Sequence, residues 1–392
     1  MADQAILVIN SGSSSLKVAV IEPESGRVVV SGMADRLGSS EPTLRFGSQA
    51  EQKLPAQADH GIALAELFSH FSGQPICAVG HRVVHGGESF SESVLLDEPA
   101  MASIRACVEL APLHNPANLA GIEAAQARFP DLPQVAVFDT AFHQTLPPKA
   151  HLYAIPYALY QQHRVRRFGF HGTSHRYVAG ETARRLGRPL ESLQLITAHL
   201  GNGVSACAVK AGRSLDTTMG FTPLEGLVMG TRSGDVDPNL HQFLAERTGQ
   251  SLHEISEMLN RQSGLLGLSG QSNDMRTLLE AAAAGKERAK LAIDVFCYRL
   301  AKGILGLCAA LERVDAVVFT GGIGEHAAPV RADTLGQLQV LGASVDAGLN
   351  AVDGAPDTGR ISSASSRLLA LVVPTNEELM IARETARLVP AS

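Results

Sequence analysis

Four short blocks concentrate side chains that can hold an anionic group. His81-Arg82-Val83-Val84-His85-Gly86-Gly87 and Gly230-Thr231-Arg232-Ser233-Gly234-Asp235 each set one arginine in what reads as a glycine-flanked turn. Phe170-His171-Gly172-Thr173-Ser174-His175 supplies imidazoles and hydroxyls, and Asn10-Ser11-Gly12-Ser13-Ser14-Ser15-Leu16-Lys17 supplies small residues closed by one amine. A guanidinium fork matches a carboxylate or phosphoryl group, and a small-residue loop lets backbone N–H groups approach phosphate oxygens. One arginine in such a loop is ordinarily a surface residue. Two of them, beside a phosphate-loop candidate, point to a phosphoryl or carboxylate ligand.

Other chemistries are less well served. The pairs His81/His85 and His171/His175 have the spacing of metal ligands on a helix, but they lack a zincin glutamate and their glycines argue against continuous helix. The opening loop lacks the Walker spacing and leads into a second strand. Gly322-Ile323-Gly324-Glu325-His326-Ala327 has a dinucleotide-like form, with Asp346 about twenty residues on. It comes late and lacks surrounding βαβ units, so it reads as a nucleotide contact at a helix N-terminus, with a dehydrogenase as the minor alternative. Asp139 ends an apolar strand, where ligand groups gather in α/β sheets, or caps the turn that follows. Glu377 either serves a ligand or complements the dipole of a first helical turn. The run Arg164-Val165-Arg166-Arg167 reads as a solvated face.

These residues need elements to hold them. Residues 6–9 and 16–21 read as strands flanking the first loop, with further strands at 76–80 and 135–139. Helical spacing covers 61–71, 101–110 and 116–128, where Asn115 is a candidate cap and Pro116 suits the first turn. Residues 39–59 read as a loop-rich excursion. The prolines at 147, 148 and 156 mark a candidate domain boundary. The second half repeats the outline: strand 195–199, loop Gly201-Asn202-Gly203, strand 206–209, then helical 252–311 broken by a loop at 264–274. A strand at 314–320, another at 368–373 and an amphipathic helix from Glu377 to Leu388 finish the chain. Alternating strands and helices in two similar halves give an α/β class with a ligand expected between the halves.

Composition bounds the rest. A chain of 392 residues, 45% hydrophobic and 18% charged, has room for two cores. A net charge of −6 argues against nucleic-acid or anionic-membrane binding. Five scattered cysteines without a C-x-x-C pair fit reduced thiols. No signal peptide and no run of ~18 apolar residues is evident, so a cytoplasmic location is expected.

Taken together, the four blocks resemble the acetate/propionate/butyrate kinase family, acetate kinases above all, from the first strand to the last helix. The resemblance implies duplicated actin-like (ribonuclease H-like) α/β domains with a cleft between them. Residues 1–146, completed by the C-terminal helix at 376–392, would form one domain and 147–375 the nucleotide-binding other. It implies reversible phosphoryl transfer from ATP to acetate, giving acetyl phosphate and ADP, with Mg²⁺ or Mn²⁺, in a homodimer. Carried over by motif, Asn10 and Glu377 would hold the metal, and Lys17, Ser13 and Ser15 would face the transferring phosphate. His199, Leu200, Gly201, Asn202, Gly203, Asp274, Met275, Arg276, Gly322, Ile323, Gly324, Glu325 and His326 would line the ATP site; the family commonly has Asn at the last position. Arg82 would bind the carboxylate, with Val84, Leu113 and Pro223 around its methyl. Asp139 would be the active-site carboxylate, and His171 and Arg232 would stabilise the transferring phosphoryl. An acetate oxygen is already anionic near pH 7, which makes Asp139 an orienting or metal-linked group before a proton acceptor. Propionate or butyrate as substrate, or a nucleotide-switched actin-like binding protein, are the alternatives.

Overall fold

The computed structural model describes residues 5–12, 14–71, 75–112 and 114–389. The chain divides into two compact units, residues 1–144 with 376–392, and residues 145–375.

In the first unit, β1 (Ala5–Ser11), β2 (Ser15–Ile21) and β3 (Val28–Asp35) form an antiparallel meander, extended by β4 (Thr43–Phe46) and β5 (Gln52–Lys53). On the other side of β1 lie β6 (Ile76–Val83) and β8 (Gln134–Phe138), both parallel to it, with β7 (Val94–Leu95) at the edge. β1 is apolar on both faces because both are covered. Leu7, Ile9, Leu16 and Val18 pack with Leu64, Leu67 and Phe68 of the helix His60–Ser69 and with Ala125 of the helix Asn115–Arg128. The helix Glu377–Leu388 lies on β1, β6 and β8. Its approach depends on Gly80, where a Cβ would fall 2.8 Å from Ile381 Cγ2 and closer still to Thr385 Oγ1. The last helix of the chain thereby brings Glu377 into the first unit.

The second unit carries β9 (Gln194–Leu200), β10 (Val204–Lys210), β11 (Arg213–Thr217), β12 (Ala316–Thr320) and β13 (Leu369–Val372) in the order β11-β10-β9-β12-β13. Three strands are antiparallel and two are parallel to the first of them. The order β3-β2-β1-β6-β8 is the same, so the fold is a duplicated, actin-like α/β architecture, with a tight hairpin opening each copy.

Three local expectations change. Residues 39–59 contain β4 and β5, because Leu44, 1% exposed, is pulled into the core beside β3. The gap at 264–274 holds a short helix, Gly264–Ser269, whose first N–H groups bond the carbonyls of Met229 and Gly230. Asn115 does not cap its helix. Its side chain instead accepts from His85 N–H and donates to His85 carbonyl, and His114 precedes the first turn. Among the described residues no helix is long and apolar enough to cross a membrane.

Burial pushes His81 and His85 down to about 4, against the weaker opposing pull of the Gln134 side chain on His81. Their unfolded-chain value is near 6.5. The unfolded state therefore takes up protons first, and the stability from keeping both rings neutral is complete above pH ~6.5 and lost as pH falls towards ~4. Urea midpoints measured from pH 7.5 to 4.5 are expected to drop through that window. His81→Gln is expected to flatten the slope by about one proton; an unchanged slope would contradict the neutral buried ring.

Candidate active site

The hairpin β1–β2 sets Lys17 opposite Asn10, and Gly12 N–H closes the turn on the Ser15 carbonyl at 2.8 Å. Lys17 is exposed and Ser15 half-buried at the sheet end; Ser13 lies outside the described residues, as does Leu113. Arg82 is not in a turn. It sits on β6, opposite Val137 of β8, because parallel pairing extends that strand through Val83. This places its guanidinium at the strand end beside Asp139, which follows β8. Nη2 and Nε donate to Asp139 Oδ2 at 2.6 and 3.0 Å, and Nη1 donates to Asn10 Oδ1 at 3.1 Å. Asp139 is 1% exposed and Arg82 20%. Burial disfavours the Arg82 charge, but the charges of Asp139 and Glu377 outweigh it and hold its pKa above the ordinary value. Asp139 thus orients Arg82.

Glu377 stands in the first turn of its helix, which Asn376 caps by accepting from Leu379 N–H at 2.9 Å. Burial raises the Glu377 carboxyl above its usual range and the Asp139 charge adds to this, opposed by Arg82 and Lys17. Its Oε1 is buried with no hydrogen-bond partner among the described residues. An orphaned carboxylate oxygen is a hard donor, and Mg²⁺ characteristically takes one or two carboxylates plus substrate phosphates. The residues present therefore fit such a cation. Among the described residues no cluster of three His, Cys, Asp or Glu forms a metal cage, and this chemistry needs none. Val84 is buried, its N–H held by Asn118 Oδ1 at 2.9 Å.

In the second unit, His171 immediately precedes the helix Gly172–Leu186 with φ +56°, a left-handed conformation rare outside glycine. The helix carries His175 but begins after His171, so the two imidazoles do not share one continuous helix, as expected, and the strain is confined to its entry. His171 Nδ1 meets Ser205 Oγ at 2.9 Å, and His175 Nε2 meets the same oxygen at 2.8 Å. The His171 ring centroid lies 4.3 Å from that of His199, whose Nδ1 meets Ser174 Oγ at 2.8 Å. Among the described residues Arg232 has no carboxylate partner. Its Nη1 reaches the Pro223 carbonyl at 3.2 Å, and burial alone pulls its pKa below the ordinary arginine value. A Cβ added to Gly203 would fall 3.2 Å from His171 Nε2 and 3.4 Å from Arg232 Nη1. The two side chains converge on a backbone bare of side chain.

Next to this lies a cavity of about 390 Å³ lined by Gly201, Asn202, Asp274, Met275, Arg276, Gly322, Ile323 and His326, together with Asn273, Leu279 and Ala327. Asn273 and Leu279 went unread in the sequence; Asn273 was legible as a polar neighbour of Asp274, whereas Leu279 signals only a helix face. Asn202 Oδ1 accepts from Asn273 at 3.0 Å, and Asp274 caps its helix through Thr277 N–H at 2.8 Å. His326 is exposed, its Nδ1 3.3 Å from Asp353 Oδ2. His199, Leu200, Gly203, Gly324 and Glu325 are not in this lining. Leu200 is fully buried, Gly324 is buried beneath the loop, and Glu325 turns inward to accept from Gly321 and Thr375 N–H at 2.9 and 3.1 Å. Asp346 caps the helix Ala347–Ala351 through Leu349 N–H, which removes it as a ribose partner.

Unpaired positive charge, a cleared backbone loop and an adjoining cavity suit a nucleotide's phosphate chain. The model of the Acetokinase family matches residues 5–383. The acetate kinase of Deinococcus radiodurans is 57% identical over 389 residues, covering 98% of each chain. A propionate kinase of Francisella tularensis has a solved structure with TM-score 0.93 and 45% identity, covering 98% of this chain and 100% of that one. The acetate kinase structure of Porphyromonas gingivalis has TM-score 0.91 and 42% identity, covering 98% and 99%. With the family model running almost end to end and both half-sites carrying the blocks that first suggested it, the chain belongs to the Acetokinase family.

Proposed function

We propose that this chain catalyses reversible phosphoryl transfer from ATP to acetate, giving acetyl phosphate and ADP. The observation that carries the reading is the convergence of His171 and an unpaired Arg232 on Gly203, beside the cavity lined by Asn202, Asp274 and Gly322. In-line transfer between a nucleotide and a carboxylate asks little covalent chemistry of the protein. It asks for positioning and for positive charge where the equatorial oxygens of the phosphoryl group gather charge.

Each group then has a task. The loop around Asn202 holds the phosphate chain, and Met275, Arg276, Ile323 and His326 hold the nucleoside. Arg232 and His171 serve the transferring phosphoryl, and Lys17 and the hairpin serines are assigned to it by the family motif. Arg82, held by Asp139 and Asn10, retains N–H groups for the acetate carboxylate. The acetate oxygen forms the new P–O bond while the bond to the ADP oxygen breaks. Acetate enters ionised, so no proton is removed. Asn10 and Glu377 would hold a Mg²⁺ ion, which when bound neutralises phosphate charge. By the family motif, Val84, Leu113 and Pro223 are assigned to the methyl group. One methylene is worth only ~1–3 kcal/mol of discrimination, so propionate remains a second substrate to test. We assign the enzyme to the cytoplasm, as a homodimer; its five free cysteines suit a reducing compartment.

Purified chain incubated with ATP, Mg²⁺, hydroxylamine and acetate, propionate or butyrate should yield the acyl hydroxamate, fastest with acetate. No hydroxamate from any of the three would refute the reading. ATP hydrolysis indifferent to carboxylate would favour an actin-like switch instead. Glu377→Gln is expected to raise the Mg²⁺ concentration for half-maximal rate by about 10–100-fold, measured by metal titration in the same assay. An unshifted titration would remove Glu377 from the metal.

A further inference from the structure

The arginine run at 164–167 reads in the sequence as a solvated face; Arg164 is exposed, but the structure overturns that reading for Arg166 and Arg167. Arg166 is buried, and Arg167 is only 18% exposed at its side chain. Arg167 Nη1 lies 3.0 Å from each of the carbonyl oxygens of Thr217, Thr218 and Met219, while Nη2 is ion-paired with Glu225. Glu225 also accepts from the Tyr153 hydroxyl, whose oxygen in turn accepts Phe221 N–H at 2.7 Å. The Arg167 guanidinium sits 5.8 Å from the Tyr153 ring centroid. Four acceptors on one guanidinium, three of them carbonyls in succession, exceed what a surface arginine needs for solvation.

The two ends of this network lead to the chemistry. Four residues beyond Arg167 comes His171, and the joining segment is pinned by Phe168 and Gly169 N–H groups, both directed at the Gly220 carbonyl at 3.0 and 3.3 Å. Gly220 has no room for a side chain, since a Cβ would run into Glu225 and Tyr153. Beyond Glu225 the chain passes Gly226, whose N–H bonds Asp235 Oδ1 at 2.7 Å, and closes the loop that carries Arg232. Pro223, within the clamped segment, supplies the carbonyl that receives Arg232 Nη1.

We propose that Tyr153, Arg167 and Glu225 are positioning residues that fix the His171 segment and the Arg232 loop in one geometry for phosphoryl transfer. The inference rests on the kinase reading above for its consequence, but the clamp itself is a statement about two segments of the second unit. None of the three side chains touches the nucleotide cavity. Burial and the neighbouring Glu225 charge raise the Tyr153 phenol above its ordinary value, which keeps it a donor at any working pH.

Arg167→Met, Glu225→Gln and Tyr153→Phe in the full chain test this, with Glu181→Gln, an ion-pair loss on the helix Gly172–Leu186, as control. In the hydroxamate assay the first two should lose about 10–100-fold in kcat, with KM for acetate and ATP little changed. Tyr153→Phe should lose less. Arg167→Lys, which keeps charge and three donors, should recover part of the loss. Amide hydrogen exchange should quicken at 168–172 and 220–232 in Arg167→Met and stay unchanged there in the control. Undiminished kcat in Arg167→Met, or the same kcat loss in the control at an equal thermal shift, would overturn the proposal. So would unchanged exchange in both segments, a readout that holds even if the wild-type chain makes no hydroxamate and the kinase reading itself fails.

Discussion

Arg232→Ala should lower kcat by about 10³-fold or more while leaving the protein close to its native stability. The activity loss follows from what the guanidinium lacks. Among the described residues it has no carboxylate partner, and its Nη1 donates to the Pro223 carbonyl at 3.2 Å. A half-buried, unbalanced charge is one the protein tolerates in order to meet a ligand's charge. Arginines placed on a transferring phosphoryl contribute about 10³–10⁵ in rate. Stability should shift by under about 1 kcal/mol, because truncation removes a costly charge and orphans no acid. Steady-state kinetics and a thermal scan on the same preparation check both halves. Near-wild-type kcat would take Arg232 out of the transition state. A collapse of stability would show its role to be structural.

The second arginine should behave otherwise. Arg82→Ala is expected to lose kcat/KM by about 10²–10³-fold and to lose stability as well, because Asp139, 1% exposed, would keep its charge with its partner gone. Breaking one side of a buried pair costs about 3–5 kcal/mol. Asp139→Asn in the same chain should return much of that stability by removing the orphaned charge, without returning activity. Urea unfolding of wild type, Arg82→Ala and Arg82→Ala/Asp139→Asn separates the two effects. If the double variant were as unstable as the single one, the pair would not be what holds the strand ends. If it were active, Arg82 would not be the acetate ligand. The contrast between the two arginines is physical: Arg82 has its counter-charge built in at Asp139, and among the described residues Arg232 has none.

The sequence could show the four blocks because each is local. A Gly/Ser/Asn loop between two apolar alternations is a hairpin whatever surrounds it, and β1–β2 and β9–β10 both form where the pattern places them. The lining of the second unit's cavity was largely legible for the same reason, since Asn202, Asp274 and Gly322 each mark a loop or cap with its own signature. The repeat of strand order, and the family resemblance across it, were likewise visible from the order of elements.

What the sequence misread depended on partners far along the chain. Arg82 looked like a turn residue because its neighbours are glycines, yet parallel pairing with β8, more than fifty positions on, keeps it in a strand. Asn115 looked like a helix cap until the His85 backbone claimed its amide. Arg167 looked solvated because charge runs usually are; only folding brings it Glu225 and three carbonyls from a segment fifty residues later. Composition and spacing thus determined which groups are candidates for phosphate and carboxylate. Tertiary structure alone decided which of those groups are neutralised, which are strained and which are left charged, because burial and counter-charge are properties of neighbours in space.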